Sequence, residues 1–179
     1  VGIVGCYQRS GDRVRWHGVP PGVSVMSGRD AARLGLVHGV HVLGTPTSVL
    51  YRADLLRMRD SFFPHERSHA DASACYEAFQ HSDFGFLHEV LSVERVHSGQ
   101  WTVAMDALEA NSVAYLEILL LYGPIFLTAA EFSAQKQEAF ATYYRGLGGS
   151  VLKLKGRSFW NFHQSRLGEM GFELEWKRI

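Results

Sequence analysis

Apolar and polar residues follow both strand-like and helix-like patterns in the first hundred residues of the chain. The apolar run Val1–Tyr7 predicts a buried strand, and the turn in "RSGDR" predicts that "VRWHG" returns beside it as a hairpin strand. Helical spacing predicts a helix over residues 28–38, with Ser27 in a capping-box position and Gly39 as its stop. This part of the chain is therefore expected to mix strands and helices.

The following segments continue this mixture. "HVLGTPTSVLY" predicts a strand that is interrupted at Gly44, Thr45 and Pro46 and resumes at Ser48–Tyr51, because proline cannot donate to a sheet ladder. "ADASACYEAFQ" has small and apolar residues at helical spacing and predicts a helix. "DFGFLHEVLSVERVH" is rich in residues that favour strands, and it alternates as a strand does.

The last third of the chain has a helical pattern. Helices are predicted over about 103–122, 129–145 and 157–168, the second with a capping box at its start, and "GLGGS" and "KGRS" are expected to separate the later helices. The most apolar window, Val113–Ala130, approaches the length of a membrane span. A charged Glu117 and a helix-breaking Gly-Pro pair inside it favour a buried helix, and a membrane-associated domain is the less favoured alternative.

Composition narrows the class of protein. With 179 residues the chain is expected to form one domain, or one domain with an appendage. Lys plus Arg and Asp plus Glu both number 18, so no broad basic surface is available and no nucleic-acid partner is expected. Cys6 and Cys75 belong to no metal-binding spacing and are expected to be reduced thiols in the core.

Asp71 is the first residue whose chemistry is open to two interpretations. The spacing Ser68-x-x-Asp71 is that of a capping box, so one interpretation assigns Asp71 as the third residue of a helix and its cap. A carboxylate at a helix start also stays ionised near neutral pH, and it is able to act as a general base. The two interpretations are compatible, because a helix start at the edge of a cleft is a rigid support for a base.

Arg95 and His97 close the predicted strand. A histidine there is either a surface residue or a ligand of a metal or phosphate, and carboxylates would have to complete any metal site. In a regular strand Arg95 would share a face with His97, so that both could bind one anionic group; the alternative is a surface ion pair. The segment at Gly44, Thr45 and Pro46 is either a simple bulge or a support for a substrate.

These residues lie in a run that resembles family 2 glycosyltransferases with a GT-A fold: "GTPTSVLYRADLLRMRDSFF", then "HADASACYEAFQHSDFGFLHEVLSVERVHSGQWT". The resemblance implies an α/β fold, an incomplete GT-A (Rossmann-like) mixed sheet with a C-terminal helical extension. It implies that residues 1–102 are the acceptor-side half of the domain and that residues 103–179 are a helical tail. The N-terminal nucleotide-binding half of the family is not found in this sequence.

The resemblance also implies roles for individual residues. Asp71 matches the catalytic base, which would deprotonate an acceptor hydroxyl as it attacks the anomeric carbon of a nucleotide-sugar, with inversion. Gly44, Thr45 and Pro46 match a segment that lines the acceptor side.

The donor side of the family's site supplies two further assignments by resemblance. His97 matches the histidine beside the donor diphosphate and its divalent metal, Mg or Mn, and is the implied metal ligand. Arg95 would neutralise the leaving diphosphate, where negative charge develops.

Departures from the family limit what the resemblance implies. The chain lacks the Asp-x-Asp motif and opens on "VGIVGCY" without Met, so we expect a portion of a longer protein that is inactive, or nearly so, by itself. The Gln-x-x-Arg-Trp signature of processive enzymes is absent as well. The expected partners are a nucleotide-sugar and a glycan or glycolipid acceptor, in the cytoplasm or at the inner face of the membrane with peripheral membrane association. The alternative is a non-catalytic binding or interaction domain derived from the same fold.

Overall fold

The computed structural model describes residues 1–39, 42–58, 60–63, 69–95, 97 and 101–179. It separates the chain into two units, Val1–His97 and Ser98–Ile179. The first unit contains a sheet with helices and the second consists mainly of helices, so the general α/β class predicted from the sequence is confirmed.

A mixed sheet organises the first unit around a central strand. Its five strands are β1 (Ile3–Ser10), β2 (Arg13–Arg15), β3 (Val25–Met26), β4 (Val49–Tyr51) and β5 (Phe84–Glu94). One edge of β1 pairs antiparallel with β4 along its first half and with β2 along its second half. The other edge pairs in parallel with β5, which continues antiparallel to β3. The predicted first strand, its hairpin and the long strand after residue 83 are therefore confirmed.

Within the described residues, three helices accompany this sheet: α1 (Gly28–His38), α2 (Ala53–Arg57) and α3 (Ala70–Phe79). The predicted bounds and caps of α1 are confirmed, because the Ser27 hydroxyl accepts from the backbone N–H of Asp30 at 3.0 Å and Gly39 is left-handed with φ 62°. α1 contacts α3, and Gly28 permits this close approach, since a Cβ there would lie 2.2 Å from the carbonyl oxygen of Phe79.

The prediction of a strand that leads into Gly44 is wrong. Residues 42–45 are not in a strand, and Pro46–Ser48 form a short 3-10 turn before β4 begins at Val49. The turn is held by local hydrogen bonds, since both the backbone N–H and the hydroxyl of Ser48 donate to the carbonyl of Thr45 at 2.9 Å. Only the second half of the predicted strand, now β4, is confirmed.

The second unit contains four helices: α4 (Trp101–Ala107), α5 (Ala110–Phe126), α6 (Ala129–Leu152) and α7 (Arg157–Glu169). The capping box at the start of α6 is confirmed, with Thr128 and Glu131 each accepting from the other's backbone. The single helix predicted over 103–122 is wrong, because Glu109 is left-handed, with φ 52°, and separates α4 from α5. Its carboxylate is held by the Ser150 hydroxyl at 2.8 Å and by Lys153 at 3.3 Å, contacts that no local pattern contains.

Two predicted helix breaks are also wrong. α5 continues past Gly123 and Pro124 to Phe126, and Gly123 gives room to Phe132 of α6, whose ring would lie 2.4 Å from an added Cβ. α6 continues through "GLGGS", where the buried Leu147 anchors the helix and offsets the low helix propensity of glycine. Among the helices of the described residues, none has both the length and the apolar character needed to cross a membrane.

Candidate functional site

Asp71 lies in the first turn of α3. The helix begins at Ala70 with His69 as its N-cap, so the assignment of Asp71 to the third helical position is wrong and it occupies the second. Ser68, the predicted cap, lies outside the described residues. The Asp71 carboxylate accepts a hydrogen bond from the backbone N–H of Ala72 at 2.8 Å, and its side chain is half-buried. The carboxylate therefore sits where the helix dipole favours a negative charge.

The charge of Asp71 acts on two nearby groups, Tyr51 and Cys75. Cys75 follows four residues later on the same helix face, and its sulfur lies 3.2 Å from the hydroxyl of Tyr51. Burial raises the pKa of the Cys75 thiol to about 12, the hydrogen bond with Tyr51 opposes this, and the charge of Asp71 adds to it. Burial also raises the pKa of Tyr51, and Cys75 and Asp71 act in the same direction. Neither group therefore adds a negative charge beside Asp71 at neutral pH.

An aromatic cluster extends this surface from Tyr51. The ring centroids of Tyr51 and Phe62 are 4.9 Å apart, and those of Phe62 and Phe63 are 5.1 Å apart, both edge to face. All three side chains are half-buried, so apolar ring surface remains accessible beside Tyr51. Sequence reasoning missed this cluster, although "YRADLLRMRDSFF" places three aromatic residues on either side of a charged segment, which the structure shows to contain α2.

The Gly44, Thr45 and Pro46 segment is a tight turn and not a strand bulge. Thr45 is half-buried, whereas Pro46, the residue after it, is exposed to solvent. Gly44 is required by packing, because an added Cβ would lie 1.8 Å from the Ser48 hydroxyl. The compact backbone is thus built to hold Thr45 in a fixed place.

Gln8 of β1 holds this turn and was missed by sequence reasoning. Its side chain is 0% exposed, and its amide nitrogen donates to the hydroxyl of Thr45 at 2.9 Å. The signal was present in the sequence: Cys6 and Gln8 share one face of a buried strand, and a polar residue on such a face needs hydrogen-bond partners.

Arg95 and His97 follow the end of β5, and both are exposed. Gln8 is opposite Ser92 in the parallel pairing of β1 with β5. Arg95 is three residues after Ser92, so its backbone lies about 10 Å beyond the level of Gln8 in the strand direction. Val96 lies outside the described residues, and β5 ends at Glu94, so a shared strand face for Arg95 and His97 stays a prediction.

The structure places Asp71 and Thr45 in two separate groups, each with partners that were not predicted. Asp71 lies with Tyr51 and Cys75, and Thr45 lies with Gln8 at the carboxyl ends of β1 and β5. No hydrogen bond among the described residues joins Asp71 to Thr45, and their union in one site stays a prediction.

No group of three or more His, Cys, Asp and Glu side chains within the described residues is arranged to hold a metal ion. His97 therefore does not form a metal site with its described neighbours, and its assignment as a metal ligand depends on residues other than these.

Comparisons with known proteins add no family assignment. No family model matches the chain, and neither the curated proteins nor the solved structures contain a match to it.

Proposed function

We propose that this chain is the acceptor-side part of an inverting family 2 glycosyltransferase with a GT-A fold. In this proposal Asp71 removes the proton from an acceptor hydroxyl as that oxygen attacks the anomeric carbon of a nucleotide-sugar. The observation that carries it is the position of Asp71 on the first turn of α3, where its charge acts on Tyr51, whose half-buried ring packs against Phe62. A carboxylate next to accessible aromatic surface suits a ligand that has both apolar faces and hydroxyl groups.

The environment of Asp71 suits proton transfer. A general base must be ionised and held in place, and the start of a helix supplies both a favourable dipole and a rigid backbone. The protonated states of Tyr51 and Cys75 keep competing negative charge away from the carboxylate. Tyr51 and Cys75 therefore keep their protons at neutral pH, and the proposal assigns the role of base to the Asp71 carboxylate.

The donor side of the proposal rests on the sequence resemblance. Arg95 would bind the leaving diphosphate, and its position beyond the carboxyl end of β5 is compatible with this role, because ligands of open α/β sheets bind at that edge. The 179 residues contain no Asp-x-Asp motif, so a nucleotide-sugar site and a Mg or Mn site would need further residues. Binding of the metal by His97 is proposed from the same resemblance, and it too would need further ligands.

The test starts from the coding sequence upstream of Val1. If it encodes a nucleotide-binding unit with an acidic pair, the complete protein is assayed for sugar transfer from a panel of nucleotide-sugars to glycan acceptors. We expect Asp71→Asn to lower kcat by about a thousandfold, since the base acts in the transition state, and to leave the KM of the donor unchanged. Asp83→Asn, at an exposed position before β5, is the matched control and should retain activity.

Three outcomes would count against the proposal. Full transfer activity in the Asp71→Asn protein would show that Asp71 is not the base. It would support the alternative, a non-catalytic binding domain. A start codon at Val1 would leave no place for a donor half. Efficient transfer by residues 1–179 alone would contradict the expectation that this portion is inactive.

A further inference from the structure

A hydrogen-bond network centred on the buried Gln8 connects β1 to the turn at Thr45. Gln8 accepts at its amide oxygen from the indole N–H of Trp16 at 3.1 Å. Its amide nitrogen donates to the hydroxyls of Thr45 at 2.9 Å and Thr47 at 3.4 Å. The two hydroxyl oxygens lie 2.9 Å apart. Four side chains from three separate segments of the chain thus form one network.

The directions of these hydrogen bonds follow from the chemistry of the groups. An indole N–H only donates, so the amide oxygen of Gln8 must face Trp16. The amide nitrogen then faces the threonines, and because it only donates, both hydroxyl oxygens act as its acceptors. Trp16 therefore fixes the orientation of Gln8, and Gln8 fixes the side from which the threonine oxygens accept.

The hydroxyls of Thr45 and Thr47 leave one hydrogen that a ligand could accept. Thr45 and Thr47 together have two hydroxyl hydrogens, and one of them closes the contact between the two oxygens. The second has no acceptor among the described residues, whichever of the two hydroxyls carries it. Thr47 is exposed and Thr45 is half-buried, so the pair lies at the surface and has one hydrogen to donate.

The backbone around Trp16 is constrained to make this network. Trp16 has φ 70°, a left-handed conformation that costs on the order of 1 kcal/mol or more for a residue with a side chain. Gly44 faces its indole, since an added Cβ would lie 3.3 Å from Cδ1 of Trp16. Strain of this kind is common where a protein holds a functional group in place.

We propose that Gln8 and Trp16 are positioning residues that make the Thr45 and Thr47 hydroxyl pair a hydrogen-bond donor to an oxygen of the acceptor sugar. The inference deepens the proposed function and rests on it for the identity of the ligand. It adds Gln8, Trp16 and Thr47 to the acceptor side and assigns the polarity of the contact: the protein donates and the sugar accepts.

The network itself is tested by NMR of the tryptophan indole protons. Trp16→Phe assigns the Trp16 signal, and Gln8→Met removes its acceptor with little change in side-chain shape. We expect the Trp16 signal of the Gln8→Met protein to move upfield and to exchange faster with solvent. The indole of Trp160 donates to the carbonyl of Lys155 at 3.0 Å and is the internal control, whose signal should not move. An unchanged Trp16 signal would overturn the network.

Ligand binding is tested on the same chain with methyl glucosides, methyl galactosides and methyl N-acetylglucosaminides as probes. We expect at least one probe to shift the amide signals of Thr45 and Thr47. Thr47→Val removes the hydroxyl at an exposed position and should weaken that probe's binding about tenfold, whereas Thr47→Ser should restore it. Gln8→Met should weaken binding in the same direction, because the pair loses its fixed orientation.

The outcomes separate this inference from the proposed function. Probe binding that depends on Thr47, in a complete protein without sugar transfer, would support the inference and contradict the proposed reaction. Transfer that depends on Asp71, with equal probe binding by the Thr47→Val and wild-type chains, would overturn the inference and leave the reaction intact. The absence of any shift at Thr45 and Thr47 would also overturn it.

Discussion

His163 of α7 should make the stability of the second unit depend on pH. Its side chain is 0% exposed, and Nε2 lies 2.9 Å from the carbonyl oxygen of Leu108. A carbonyl only accepts, so Nε2 carries the hydrogen and Nδ1 accepts from the hydroxyl of Tyr143 at 2.9 Å. Burial lowers the pKa of His163, and the positive charge of Lys155 adds a smaller effect in the same direction. The hydrogen bond to Leu108 and the charge of Glu109 raise this pKa but do not outweigh burial.

The sign and size of the effect follow from linkage. The folded state holds His163 neutral, while the unfolded chain binds a proton below about pH 6.5. The free energy of unfolding therefore has its full value above that pH. It should fall by about 1.4 kcal/mol for each pH unit between the unfolded pKa and the lowered folded pKa. Residues 98–179 contain no other histidine, so no second imidazole titrates within this unit.

The assay compares urea unfolding of the wild-type chain and of His163→Gln between about pH 7.5 and about pH 5, followed by tryptophan fluorescence. At the upper pH we expect the variant to be less stable by about 1–3 kcal/mol, because buried partners lose their hydrogen bonds. The Trp160 and Trp176 rings, 5.0 Å apart, report on this unit. The difference between the proteins should shrink as the pH falls below about 6.5. A difference that stays constant or grows would refute the reasoning.

Two further predictions use Gly28, Gly149 and Cys75. Gly28→Ala should destabilise the first unit by about 3 kcal/mol, because the new Cβ would meet the Phe79 carbonyl, whereas Gly149→Ala, with no atom within 4 Å, should stabilise α6 by about 1 kcal/mol. Urea unfolding of both variants measures the two changes, and the opposite order would contradict the packing of α1 on α3. Cys75, buried and with its pKa raised to about 12, should resist iodoacetamide at about pH 8 until the chain is unfolded in guanidinium. Rapid alkylation of Cys75 in the folded protein would show that the surface around Asp71 is more open than the structure has it.

The parts of the fold that were predicted correctly depend on short-range interactions. The cap of α1 is a hydrogen bond between Ser27 and Asp30, three residues apart, and its end is a left-handed glycine. The start of α6 at Thr128 has the same kind of local signal. For such elements the interacting groups lie within one helical turn, so the sequence displays them directly.

The candidate site was predictable in its residue types and less so in its geometry. Asp71 was expected at a helix start and lies there, one position earlier in the helix than predicted. Thr45 was singled out by the turn-forming residues beside it, but the partner that holds it, Gln8, is 37 residues away. Gln8 was not predicted as part of the site, because it follows the predicted strand Val1–Tyr7 and no local pattern shows which hydroxyl it would bind.

By itself, the sequence determined the α/β class, the hairpin and the capped helices, and it supplied candidate site residues such as Asp71 and Thr45. Only the tertiary structure decided where the long helices break and which polar groups meet. Glu109 separates α4 from α5 because its carboxylate binds Ser150, 41 residues later, and the neighbouring carbonyl of Leu108 binds His163, 55 residues later. Glycine or proline inside a helix costs about 1–3 kcal/mol in helix stability. The free energy gained from packing against distant residues can exceed this cost. Local patterns therefore set the elements, and long-range contacts set their ends and assemble the site.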